Sequence, residues 1–119
     1  MAHGGFLRQH SDDPALASHI MHDYTKADLD PATRGMLDFA AKLTLKPTSM
    51  QQADVQKLSK LGLSDEQILS TVLITCLFNF MTRLADGLGV ELPEGRQENI
   101  DRWLSGPARQ QEWLMKAKG

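Results

Sequence analysis

Apolar residues recur along this chain at spacings of three and four positions, which is the period of one helix face. The first such segment follows Asp13-Pro14 and runs to about Tyr24, with Leu16 and Ile20 on one face. An aspartate before a proline is a typical helix start, because the carboxylate caps backbone N–H groups and proline suits the first turn. We therefore predict a helix over this segment.

A second segment begins in the same way at Asp30-Pro31 and extends to Leu45. Lys46-Pro47 ends it, because proline disfavours a helical conformation in the residue before it. The apolar stripe of this predicted helix consists of Met36, Leu37, Ala40 and Leu43.

A third, shorter helix is predicted to end at Gly62, since glycine suits the left-handed conformation in which many helices stop. Ser49 or Thr48 can cap its first turn. Its apolar positions recur at three-residue spacing and are Val55, Leu58 and Leu61.

The longest apolar segment begins at Ser64-Asp65-Glu66-Gln67. The Ser64 side chain can accept a hydrogen bond from the backbone of Gln67, while the Gln67 side chain reaches back. We predict a helix over about 64–88 that ends at Gly87 or Gly89. Its apolar positions extend nearly all the way round, which in a soluble protein indicates a central helix buried by neighbours on several sides. They are Ile68, Leu69, Val72, Leu73, Ile74, Leu77, Phe78, Phe80, Met81 and Leu84.

No segment shows the alternation that is typical of a strand, and the predicted fold class is all-α. The stretch 91–99 has the composition of a loop, with Pro93 and Gly95. Two short amphipathic helices could follow, one around Trp103 and one over 107–116. The chain therefore divides into a helical core over 1–92 and a C-terminal helical extension or packing arm over 93–119.

Length, charge and the apolar segments argue against a protein that binds nucleic acid or spans a membrane. The 119 residues suit one domain, and a net charge of −2 gives no general attraction to nucleic acid or anionic lipid. The segment 58–71 could be mistaken for a helix-turn-helix, but its second helix starts with Ser64-Asp65-Glu66, which would repel phosphates. The apolar stretch 68–81 is shorter than the roughly 20 residues of a membrane span. We predict a cytoplasmic protein that binds neither nucleic acid nor membrane.

Three groups of side chains could carry chemistry. His19, His22 and Asp23 could together bind a divalent metal, but no other residue fixes a further ligand, so surface histidines are the better interpretation.

The single cysteine, Cys76, excludes an internal disulfide and a self-contained dithiol pair. Because it lies in the middle of the long apolar helix, away from any cation, we interpret it as an inert core residue.

The third group is a polar stripe on the long helix, formed by Thr71, Thr75, Asn79, Arg83 and Asp86. One interpretation is the wall of a polar site, in which Arg83 orients an anion and Asn79 donates hydrogen bonds. The other is structural, with an Arg83–Asp86 pair and an amide that satisfies neighbouring groups, or a subunit contact. We favour the structural interpretation, since buried polar groups usually satisfy one another.

Two sets of residues carry a family resemblance. The first set is His3-Gly4-Gly5-Phe6-Leu7-Arg8, Asp13-Pro14-Ala15-Leu16, Asp23-Tyr24 and Arg34-Gly35-Met36-Leu37-Asp38-Phe39-Ala40-Ala41-Lys42-Leu43-Thr44. The second set is Gly62-Leu63-Ser64-Asp65, Phe78-Asn79-Phe80 and Arg83-Leu84-Ala85-Asp86-Gly87-Leu88-Gly89-Val90. In this order and spacing they resemble the peroxidase-related proteins of the alkylhydroperoxidase D (AhpD)-like, carboxymuconolactone decarboxylase-like superfamily.

The resemblance implies an all-helical domain that forms homo-oligomers, and an antioxidant activity in which a dithiol reduces a peroxide without a cofactor. The family motif is Cys-x-x-Cys-x-x-x-His with a helper glutamate upstream. His3 matches the motif histidine, because Gly4 and then Leu7-Arg8 follow it, and both cysteines would lie before Met1. Cys76 alone cannot both attack the peroxide and resolve the sulfenic acid.

Three explanations follow from this departure. The chain could be a fragment, or a gene model that starts at an internal methionine. It could be a naturally shortened relative that lost catalysis and kept the helices that form oligomers. It could use another site, such as Asn79, Arg83 and Asp86, for chemistry related to the decarboxylase branch.

At the level of the family we therefore expect an antioxidant oxidoreductase, whose substrate and partner would be a peroxide and a thiol reductant if the missing segment exists. For these 119 residues we expect no dithiol peroxidase activity, with a non-catalytic helical oligomerisation module as the alternative. Loss of a helix from the domain would expose apolar surface on its former neighbours, and self-association is the simplest way to cover that surface.

Overall fold

The computed structural model describes residue 7 and residues 9–13, 15–91 and 94–95. These residues form helices and turns without a strand, which confirms the all-α prediction for the part of the chain that is described. They fall into two compact units. One unit contains the described residues up to Asp28 and from Glu91 onward, and the other is Leu29–Val90.

The first unit contains helix α1, Leu16–Asp23, followed by a 3-10 turn over Tyr24–Lys26. Asp13 does not cap this helix as predicted: the residue before the helix is Ala15, which makes no side-chain capping bond. The Asp13 Oδ1 instead accepts a hydrogen bond of 2.8 Å from the Ala15 N–H, in the turn that leads into the helix. The buried residue of α1 is Ala17, whereas the expected stripe of Leu16, Ile20 and Tyr24 is half-buried.

The second unit begins with helix α2, Pro31–Leu45. The Asp30 carboxylate accepts hydrogen bonds from the N–H groups of Ala32 and Thr33 at 3.0 and 2.9 Å, which satisfies two donors at the start of the helix. Both predicted ends are thus confirmed. The buried face was predicted incompletely, because Phe39 is the large apolar side chain of α2 that is buried and the predicted stripe omits it.

Helix α3, Gln52–Lys60, starts later than predicted. Ser49 and Thr48 do not cap it, because they belong to a 3-10 turn over Pro47–Ser49 in which the Ser49 hydroxyl donates to the Lys46 carbonyl at 2.8 Å. Instead, Asp54 in the first turn of α3 accepts a 2.8 Å hydrogen bond from the Gln51 N–H.

A Schellman motif joins α3 to the next helix. Gly62 has φ +93°, its N–H donates to Ser59, and the N–H of Leu63 donates to the Leu58 carbonyl. Leu58 and Leu63 are both buried, so the turn that ends α3 also contributes two side chains to the core. The predicted stop at Gly62 is confirmed.

Helix α4, Asp65–Gly87, is 23 residues long and has the predicted bounds. The Ser64 Oγ accepts from the Gln67 N–H at 3.2 Å, and the Gln67 Oε1 accepts from the Ser64 N–H at 2.9 Å. This capping box is as predicted. At the other end, Gly89 has φ +63° in a second Schellman motif.

The core of the second unit lies where the three helices meet, since α2 packs against α3 and α4, and α3 packs against α4. Its buried members are Phe39, Leu58, Leu63 and Ile68, with Ala32, Met36, Leu43, Met50, Leu61 and Val72 packed against them. Of the predicted apolar positions on α3, Leu58 and Leu61 face this core. Val55, the third of these apolar positions, is 41% exposed and lies outside the core.

The prediction that α4 is buried on several sides is wrong. Within the described structure Ile68 is the one buried residue of α4, and most of the large apolar side chains of this helix are exposed. The physical reason is that α2 and α3 cover only one side of α4 within this chain. The pattern had correctly indicated an apolar helix, but these neighbours do not cover its other sides.

Candidate functional site

The largest exposed apolar surface that the structure describes lies on α4, opposite Ile68. We call it the outer face, and it consists of Leu69, Leu73, Ile74, Leu77, Phe80, Met81, Leu84 and Leu88. The exposed fractions of these side chains lie between 49% and 72%. Isolated apolar residues are common on protein surfaces, whereas a contiguous apolar surface of this extent is typical of an interaction site.

By length and composition, α4 is also able to cross a membrane. The apolar stretch 68–81 is shorter than a membrane span, whereas the helix that contains it has 23 residues. One helix of this kind is weak evidence for a membrane protein, because core helices of soluble proteins meet the same criterion.

Cys76 lies on the exposed side of α4. The prediction that this cysteine is a core residue is therefore wrong, for the same reason as for the rest of the helix: α2 and α3 do not reach it. Exposure gives the thiol access to reagents, but a dithiol mechanism also needs a second thiol, and Cys76 is the single cysteine of the sequence.

The polar stripe of α4 satisfies its own hydrogen bonds. The hydroxyls of Thr71 and Thr75 donate to the carbonyls of Gln67 and Thr71, at 2.8 and 2.7 Å, one turn earlier in the same helix. Such bonds commit the hydroxyl proton to the backbone of the helix, as is common for threonine within a helix. Thr71 and Thr75, the first two residues of the stripe, therefore have a structural role in the helix.

Asn79 forms the one side-chain hydrogen bond in the described structure that links α4 to α2. Its Nδ2 donates to the Thr44 Oγ1 at 2.9 Å, and its Oδ1 accepts from the Arg83 Nη1 at 3.1 Å. The structure thus brings Asn79 and Arg83 together, and it joins Arg83 to Asn79 rather than to Asp86 as the structural interpretation had expected. Because the amide is used on both sides, the geometry favours a positioning role over a ligand site.

A cluster of charges between α2 and α3 was not predicted. The Lys42 Nζ lies 2.7 and 2.8 Å from the two carboxylate oxygens of Asp54, and Asp38 lies between Arg34 and Lys57 at 3.5 and 4.0 Å. The hydrogen bond from Lys42, together with that from the Gln51 N–H, holds the pKa of Asp54 below its ordinary value of 3.8. These charges pair with one another, which indicates a structural network.

The remaining candidates lie near the N-terminus. His3 is outside the described residues. His19 is exposed and His22 is half-buried, while the Asp23 carboxylate is engaged by Thr25 and Lys26, and the hydroxyl of Thr25 above all lowers its pKa. Among the described residues, no three His, Cys, Asp or Glu side chains are arranged to hold a metal ion.

Comparison with known proteins adds no assignment: no protein-family model matches the sequence, and no curated protein matches it.

Proposed function

We propose that this chain is a self-associating helical module of the peroxidase-related, alkylhydroperoxidase D-like type, and that the outer face of α4 is its association surface. The family part of this proposal is supported by the residues that carry the resemblance. The association part is supported by one observation, which is that eight large apolar side chains, seven on α4 and Leu88 directly after it, are about half or more exposed.

The size of the outer face supports association. Fully burying an aliphatic side chain of this size is worth up to about 3 kcal/mol, which at about 25 cal/mol per Å² corresponds to roughly 120 Å². Eight half-exposed side chains therefore leave about 500 Å² of apolar surface. The largest apolar patch on a typical monomer is about 300–600 Å². Each partner in a stable protein–protein interface contributes about 800 Å². Because a little more than half of an interface is apolar, about 450 Å² of that contribution is apolar, and the outer face supplies an apolar area of this size.

The chemistry of the family needs more than these residues supply. In a dithiol peroxidase a thiolate attacks the O–O bond and becomes a sulfenic acid, and a second thiol then displaces water to form a disulfide. Cys76 can supply one of the two thiols at most. The 119-residue chain is therefore expected to show no peroxide turnover with a dithiol reductant, in the unchanged protein and in Cys76→Ser alike. Turnover that disappears in Cys76→Ser would contradict this.

Association is tested by sedimentation velocity over a range of micromolar concentrations. The unchanged chain is expected to sediment as a dimer or larger. Replacing Leu77 and Leu84 together by glutamine places two polar groups in the outer face and is expected to shift the protein to monomer.

The matched control replaces two exposed apolar residues on other helices, Leu45 on α2 (65% exposed) and Val55 on α3 (41% exposed), by glutamine. This control is expected to leave the sedimentation coefficient unchanged, and circular dichroism checks that both variants keep their helices. A monomeric unchanged chain at every concentration, or equal effects of the two pairs of substitutions, would refute the proposal.

A further inference from the structure

The outer face contains a regular seam. Six exposed residues follow one another on α4 at spacings of three, four, three, four and three positions, which is the heptad spacing of a two-helix contact. They are Ser70, Leu73, Leu77, Phe80, Leu84 and Gly87. The seam has a small residue at each end and four large apolar residues between them.

The order of residues in this seam is nearly the same in both directions. Reversed, it still runs from a small residue through four large apolar residues to a small residue, and the spacings are unchanged. A second copy of α4 laid antiparallel about the centre of the seam therefore places Leu73 opposite Leu84 and Leu77 opposite Phe80. Ser70 then lies opposite Gly87, where two small residues allow the helices to approach closely.

We propose that the occupant of the outer face is a second copy of this chain, with the two α4 helices packed antiparallel about a two-fold axis. This inference rests on the proposed function and specifies its geometry. A two-fold interface requires a surface that is complementary to itself, and the palindromic seam meets this requirement.

Charge favours the antiparallel arrangement over the parallel one. A parallel pair in register would place the acidic first turns of both helices, Asp65 and Glu66, side by side, and the two Arg83 side chains as well. In the antiparallel pair the two Glu66 residues are about 37 Å apart along the helix axis and the two Arg83 residues about 13 Å. Like charges are thus separated.

The residues that flank the seam lead to the same arrangement. In an antiparallel pair, Ile74 of one helix lies beside Met81 of the other, so that two exposed apolar side chains cover each other. In a parallel pair, Met81 would instead lie beside Cys76 and Arg83 of the second helix. The antiparallel pair therefore extends the apolar contact beyond the seam, and the parallel pair places an apolar side chain against a charged one.

Disulfide cross-linking tests this geometry. In a Cys76→Ser background, Leu73→Cys and Leu84→Cys are made as separate single variants, one of them carrying an affinity tag. Because both side chains are about half exposed, these substitutions leave the core intact. Mild oxidation of the mixed variants is expected to yield a covalent heterodimer, because the Cα atoms of opposed residues come within the roughly 4.4–6.8 Å that a disulfide needs. Oxidation of either variant alone is expected to yield no homodimer.

The pair Leu77→Cys and Phe80→Cys provides a second, independent layer of the same seam, so that a folding defect in one variant does not decide the result. Homodimers from the single variants at Leu73 or Leu84, whose two copies lie about 16 Å apart along the axis of the antiparallel pair, would indicate a parallel pair and would overturn the inference. The two copies of position 77, or of position 80, lie only about 4.5 Å apart along the axis, so the heterodimer is the readout for that layer. A dimer in sedimentation that gives no cross-link in either layer would overturn the antiparallel seam while leaving self-association intact. A monomer, for example because the segment 93–119 covers the outer face, would overturn both.

Discussion

Replacing Leu58 by alanine is expected to lower the free energy of unfolding by about 3 kcal/mol. Leu58 is 1% exposed and lies where α2, α3 and α4 meet. The substitution removes three buried carbons, and each costs about 0.8 kcal/mol. The cavity that remains costs more, and substitutions of a buried leucine by alanine in general cost about 2–5 kcal/mol.

This loss is large for a unit of this size. Folded domains are stable by roughly 0.05–0.15 kcal/mol per residue, so Leu29–Val90 would be stable by about 3–9 kcal/mol. The substitution is therefore expected to remove between a third and all of the stability of the unit. Urea unfolding followed by helical circular dichroism measures this. The protein concentration must be fixed, because association adds stability by mass action.

Val55→Ala is the matched control, because it shortens an aliphatic side chain on the same helix one turn earlier. Val55 is 41% exposed, and a substitution at such a surface position is expected to change stability by less than about 0.5 kcal/mol. A loss of less than about 1 kcal/mol for Leu58→Ala, or equal losses for both variants, would show that the core is not where the structure places it.

Three further predictions concern single interactions. A double-mutant cycle of Asn79→Ala and Thr44→Val is expected to give a coupling free energy of about 0.5–1.5 kcal/mol, and additive effects would contradict the hydrogen bond between α4 and α2. The pKa of Asp54 is lowered in the folded state, so its contacts contribute stability above pH 3.8, the ordinary pKa, and lose it as the pH falls through the lowered pKa. Asp54→Asn should therefore lower stability at neutral pH and flatten the acid limb of a stability–pH curve, and an unchanged limb would refute this. Gly62→Ala, at φ +93°, is expected to cost about 1 kcal/mol or more by thermal unfolding. Gly87→Ala has no positive φ and open space around it within one chain, so in the monomeric Leu77→Gln, Leu84→Gln background it should cost nothing.

The ends of the helices could be predicted from the sequence because capping is local. Asp30 and Ser64 make their hydrogen bonds within three residues, and Gly62 needs only its own backbone conformation. The start of α3 escaped prediction because Pro47 diverts the chain into a 3-10 turn before Gln51.

The contacts between helices could not be predicted in this way. The ion pair of Lys42 with Asp54 joins residues 12 apart, and the hydrogen bond of Asn79 with Thr44 joins residues 35 apart. Such pairs depend on how the helices pack, which no local pattern determines. The same limit explains the error on α4 and Cys76, since periodicity identifies the positions that are apolar but not the molecule that covers them.

The bond between Asn79 and Thr44 has a consequence for the direction in which the outer face points. A smooth apolar contact would let α4 turn about its own axis or slide by one turn, about 5.4 Å, at little cost. Either movement breaks this bond and leaves an amide with a lost partner. The bond between Asn79 and Thr44 thus adds to the packing of Ile68 and Val72 in setting the rotation of α4 about its axis, and so the direction in which the outer face is presented to a partner.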